Sequence, residues 1–132
     1  MAIQLSVAAR NARLDTFEST VGASAKLQIR SGAQPANCAA AASGTLLCEI
    51  ALPSDWMAAA SGGSKAKSGT WSGTGAAAGT AGHFRIVDNA GTTCHMQGSV
   101  AASAADMTID NTSIAVGQTV TVNTFSVTDG NA

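Results

Sequence analysis

AGHFRIVDNAGTTCHMQGSV, residues 81–100, carries the clearest fold signal in the chain. Apolar and polar side chains alternate on both sides of DNAG, the pattern of two half-buried strands around a turn. Asp88, Asn89 and Ala90 suit a type I turn, and Gly91 suits the left-handed position after it, which predicts a three-residue hairpin loop with a G1 bulge. That register sets Arg85 opposite His95 and Phe84 opposite Met96. Phe84, Ile86, Cys94 and Met96 then share an apolar face, and His83, Arg85, His95 and Gln97 a polar one. A loop longer by one residue would shift the pairing by one and mix the faces, so pattern and turn chemistry select the same pairing.

The same period of two recurs on either side. AKLQIRS turns Leu27 and Ile29 inward and Lys26, Gln28 and Arg30 outward, and TLLCEIAL places Leu46, Cys48, Ile50 and Leu52 on one face. Between them GAQPANCAAAASG reads as a connection, with Pro35, Asn37 and Gly44 suited to turns. DMTID is a short strand. In QTVTVNTFSVTDG a bulge near Asn123 would bring Val120, Val122, Phe125 and Val127 onto one face. PSDWMAAASGG suggests a short helical turn that lays Trp56 over one end of the core.

GGSKAKSGTWSGTGAAAGTAG, residues 62–82, lacks the GxxxxGK[ST] order of a phosphate loop. Lys65, Lys67, Gly69 and Trp71 share one parity, as in an edge strand whose lysines discourage uncontrolled pairing. Glycine weakens strands, so its density here points to places where another backbone approaches closely. The one helix signal is SVAARNARLDTFESTVG: Ala9, Ala12, Leu14, Phe17 and Val21 form a broad apolar stripe, Arg10 and Arg13 lie on a solvated polar face, and Gly22 offers an exit. Together these elements predict a mainly β protein, an antiparallel β-sandwich or small barrel-like fold with an N-terminal helix: residues 1–24 as helix or arm, residues 25–132 as the antiparallel β domain.

Composition narrows the function classes. The chain has 132 residues, 45% hydrophobic, but with only three Phe, two Trp and no Tyr. The core is therefore thin for its length, which favours stabilisation by self-association. Charged residues make up 11% and the net charge is −1, against roughly 25% charged residues in an average soluble domain. That balance offers no field for nucleic acid or an anionic membrane. No apolar run approaches the roughly 20 residues of a membrane span, and the N-terminus does not read as a secretory signal.

Candidate chemistry is sparse. Cys38, Cys48 and Cys94 lack metal-ligand spacing and are expected as three small thiols, or as one disulfide with a thiol left over. His83 and His95 would lie diagonally on the hairpin's polar face beside Arg85, without a third local ligand, so neither a metal nor a cofactor is expected. Asp106 and Asp110 are four apart on an extended strand, about 13 Å, too far to act as a carboxylate pair. No catalytic set emerges. Residues suited to a protein interface are Leu14, Phe17, Trp56, Lys65, Lys67 and Trp71; Trp71, His83, Arg85 and His95 are the candidates for ligand contact.

From PSDWMAAASGGSKAKSGTWSGTGAAAGTAGHFRIVDNAGTTCHMQGSV through MTIDNTSIAVGQTVTVNTFSVTDGN the chain resembles a small group of proteins encoded by tailed bacteriophages and prophages. The likeness extends over most of the chain from about Ala25 and rests on overall wording, with no catalytic signature. It implies a virion component attached to head or tail, assembled in the host cytoplasm with other virion structural proteins and as a homo-oligomer. Decoration, cementing or connection would be its task. The alternative expectation is a receptor- or carbohydrate-binding module of the tail, which needs Trp56 or Trp71 facing solvent.

Overall fold

The computed structural model describes residues 3–129. Helix α1 (Val7–Val21) is followed by β1 (Lys26–Ser31), β2 (Leu46–Ala51), β3 (Ser64–Ala66), β4 (Ser72–Thr74), β5 (Gly79–Val87), β6 (Cys94–Ala101), β7 (Met107–Ile109), β8 (Ser113–Ile114) and β9 (Thr119–Thr128). The protein is mainly β, a curled half-barrel sheet with one N-terminal helix, in agreement with the sequence expectation. The sheet runs β2-β1-β5-β6-β7-β9-β3, with β4 also on β9 and β8 on β5. β2, one end of this path, meets the segment after β4, which hangs on β9, through the Cys48–Gly75 bridge, where Ala76 N–H also donates to Leu47 O at 2.7 Å. All the pairings are antiparallel except β6 with β7, which run parallel over two residue pairs.

Two bulges set the inward faces. Ile29 pairs with Cys48 but Arg30 with Leu46, so Leu47 is the extra residue. Leu47 and Cys48 are consequently both buried while Leu46 turns partly outward, which corrects the simple alternation expected there. In β9 the extra residue is Asn123, since Thr124 pairs with Thr108 and Val122 with Ile109. Val120, Val122 and Phe125 are buried and Val127 packs against the core, as its sequence pattern requires.

The 81–100 hairpin forms, with a different register. Asp88 Oδ1 accepts the Thr92 and Thr93 amides at 2.8 and 3.1 Å, so the loop closes with Asp88 N–H on Thr93 O and is one residue longer than expected. A bulge at His95 adds a second residue. Val87 therefore pairs with Cys94, Ile86 with Met96 and Arg85 with Gln97. Phe84, Ile86 and Met96 keep their common face, but Cys94 lies before the bulge and joins Val87 and Arg85 on the opposite one.

An aromatic row fills the core. Trp56 and Trp71 are 6.0 Å apart, Trp71 and Phe125 5.6 Å, and Phe125 and Phe84 5.5 Å between ring centroids. Such pairs contribute about 0.5–1.5 kcal/mol each beyond the area they bury. The stretch before Trp56 is a single turn at Ser54 and Asp55 that does not extend into a helix, and the Trp56 indole N–H donates to Gly22 O. Trp56 does cover one end of the core, beneath α1 through Phe17.

Candidate functional site

Residues expected at interfaces instead fasten the helix to its own sheet. Trp56 and Trp71 are both fully buried, Leu14 is buried, and Phe17 meets Trp56 edge to face at 5.9 Å. Lys65 is 2% exposed, its Nζ 2.7 Å from Asp15 Oδ1 and 2.9 Å from Glu18 Oε1. Burial opposes its charge, but the Asp15 and Glu18 contacts outweigh that and hold the ammonium pKa above its ordinary value. Asp15 is correspondingly lowered, by Lys65 first and then by the Ala60 amide. Glu18 also accepts the Met57 amide, Asn11 accepts that of Gly63, and Arg13 pairs with Asp129 at 3.2 Å. The helix thus docks largely through polar groups: Arg10 is buried, against expectation, and Ala12 is exposed. Only Lys67, half-buried with Nζ on Gly69 O, keeps part of the edge role expected of it.

The proposed ligand residues are also dispersed. Neither tryptophan ring offers a face to a sugar. His83 is fully buried and Arg85 4% exposed, both under the 32–44 connection. His83 Nδ1–H donates to Gly32 O, Arg85 Nη2 to Cys38 O and Ala40 O, and Gln97 Nε2 to Pro35 O. The polar face expected to meet solvent is a seat for this loop, because buried carbonyls need donors and these side chains supply them. His95 alone of the set is half-exposed, displaced by its bulge. Below the loop lies a cavity of about 220 Å³ lined by Gln28, Arg30, Cys38, Arg85 and Cys94 among others. Burial, then the Arg85 charge, lowers the Arg30 pKa.

A second opening has a strand-shaped geometry that sequence reading missed. β7 pairs with both β6 and β9, so those two strands stand one strand apart. β7 starts only at Met107, level with Val100 and Phe125. Before that point, among the described residues, no strand lies between residues 94–99 of β6 and 126–128 of β9. The cleft, about 300 Å³, is lined by Phe84, Met96, Gln97, Asp106, Phe125 and Val127, with Ser126 and Thr128 at its rim. Phe125 O and Asp129 N–H bond toward β3, so the alternating backbone groups of Ser126 and Thr128 point into the slot. On the facing edge Ser99 N–H is already taken by Asp106 Oδ2, and Asp106 itself lines the cleft. Only the parallel β6–β7 contact reveals the gap, and no local pattern encodes it.

Among the described residues there is no group of three or more His, Cys, Asp or Glu placed to hold a metal, and no helix long and apolar enough to cross a membrane. Comparison with protein-family models, with curated proteins and with solved structures finds no match to this chain.

Proposed function

We propose that this chain is a structural component of a tailed-phage virion, a decoration, cement or connecting subunit bound to neighbouring head or tail proteins and to copies of itself. The observation that supports this reading best is the one-strand slot between β6 and β9. An extended segment of a neighbouring subunit entering it would continue the line of β7 backward from Met107, parallel to β6 and antiparallel to β9. Ser126 and Thr128 would supply main-chain hydrogen bonds, and alternate side chains of the guest would rest on Phe84 and Phe125. A net charge of −1 leaves little repulsion between copies, and repetition over a symmetric particle makes modest contacts sufficient. The likeness to phage-encoded proteins points the same way.

Purified particles test both levels. The chain is expected in virions by mass spectrometry, and Ser126→Pro, which deletes a slot-facing N–H while leaving the β3 pairing groups intact, is expected to lower its occupancy severalfold with unchanged monomer stability. Absence from particles defeats the virion assignment. Presence with undiminished Ser126→Pro occupancy removes the slot as the attachment surface and leaves the assignment standing.

A further inference from the structure

Cys38 and Cys94 come from elements 56 positions apart, yet their sulfur atoms are 2.9 Å from each other, less than an ångström beyond a disulfide bond of about 2.05 Å. Cys38 belongs to the loop that Arg85, His83 and Gln97 hold by its carbonyls; Cys94 is the first residue of β6, turned to that side by the His95 bulge. Both thiols are half-buried, open enough for a small reagent, whereas Cys48 is fully buried on the other face of the sheet, in the core. With no third ligand at hand among the described residues, a two-thiol pair at this separation favours a covalent link over a metal.

We propose that Cys38 and Cys94 are an oxidisable pair that a small disulfide reagent converts to an intramolecular disulfide, stapling the 32–44 loop to β6 while Cys48 stays reduced. The thiolate of one cysteine attacks a sulfur of the reagent, whose S–S bond breaks and releases one thiolate. The second cysteine attacks the resulting mixed disulfide at the protein sulfur and expels the other. Two protein thiols give up two electrons and two protons; the reagent leaves as two thiols. Burial, then the Cys94 neighbour, pushes the Cys38 thiol up to about 11, with Arg85 pulling the other way, so exchange quickens as pH rises through the alkaline range. In a reducing medium the loop is held by hydrogen bonds alone; in an oxidising one it is fixed.

The reduced full chain, incubated with oxidised glutathione at mildly alkaline pH, is expected to fall from three titratable thiols in denaturant to one. Its mass should drop by two hydrogens, a single cross-linked peptide pair should contain Cys38 and Cys94, and Tm should rise by roughly 10 °C, reversibly with dithiothreitol. Cys38→Ala is expected to leave Cys94 as a glutathione adduct and abolish the Tm gain. Three surviving thiols, a linkage through Cys48, a dimer link, or a stable mixed disulfide on the wild-type chain would each overturn the proposal. The peptide map needs no variant, so it decides the matter even if Cys38→Ala folds poorly.

Discussion

Lys65 and Asp15 lie fifty positions apart in sequence and 2.7 Å apart in space, joining helix to sheet. The lysine comes from β3, a strand of three residues at the end of the sheet path, and Glu18 completes its coordination at 2.9 Å. A buried ammonium is tolerated only when carboxylates and carbonyls replace its lost water. The helix supplies these, so α1 is part of the folded body rather than a free arm.

Breaking this latch from its two sides should have unequal effects. Asp15→Asn with Glu18→Gln strands the buried Lys65 charge and is expected to lower the urea midpoint clearly. Lys65→Met removes the charge with its desolvation penalty and fills the same space, and is expected to stay within about 1 kcal/mol of wild type. Equal losses from both changes would contradict a buried, paired lysine.

The latch also has a pH window. The Asp15 pKa is lowered in the fold, so its contribution is present above the ordinary value of 3.8 and is lost as pH falls below it, through the folded value. Lys65 is raised, so its contribution is present below 10.5 and is lost as pH climbs past that toward the folded value. The Met57 and Ala60 amides, bonded to Glu18 and Asp15, report the latch directly. Their hydrogen-exchange protection factors are expected to be flat through neutrality and to drop at both extremes. Constant protection down to pH 2 would show that the helix is held by something else.

Trp71 should matter for folding rather than for contact with a partner. Its ring is enclosed between Trp56 and Phe125 and its N–H donates to Ser68 O. Trp71→Ala is expected to destabilise by about 3–5 kcal/mol. Iodide should barely quench the emission of either tryptophan in the native chain. Efficient quenching, or a loss under 1 kcal/mol, would place the ring outside the core.

These residues also mark how far the sequence could be read. The sequence pattern located the span of the helix, the strands β1, β2, β5, β6, β7 and β9 and the Asn123 bulge, but not the short β4 and β8, nor the buried side of the helix, where Arg10 is inside and Ala12 outside. The hairpin register escaped, although a longer loop had a visible cost in mixed faces. The loop lengthened because Asp88 captures two amides, and the His95 bulge restored the faces; a shift of two keeps parity, to which the pattern is blind. Lys65 looked solvated because its carboxylates are remote in sequence. The seat of the 32–44 loop was hidden likewise, since His83, Arg85 and Gln97 read as surface until the chain returns over them.

Of the glycines in residues 62–82, Gly73, Gly75 and Gly82 meet another backbone closely, as their sequence suggests, whereas Gly62 and Gly69 do not, and Gly75 offers a sharp test. It bridges Cys48, tying β2 to the segment after β4, while its N–H donates to Gln118 O and its carbonyl accepts from Gly117 N. A Cβ there would fall 2.9 Å from Ile114 Cγ2 and 3.2 Å from the Ala115 carbonyl carbon, and backbone cannot swing aside. Gly75→Ala is therefore expected to cost about 1–3 kcal/mol or more through overpacking. Gly62 has open space around it and only its left-handed φ of +60° to oppose a side chain, so Gly62→Ala should cost about 1–2 kcal/mol. Chemical denaturation of the two variants should rank Gly75→Ala as the more damaging, with a broader loss of protection in β2 and β4. A reversed order would mean that β2 and the Gly75 segment do not meet as closely as the Cys48 bridge requires.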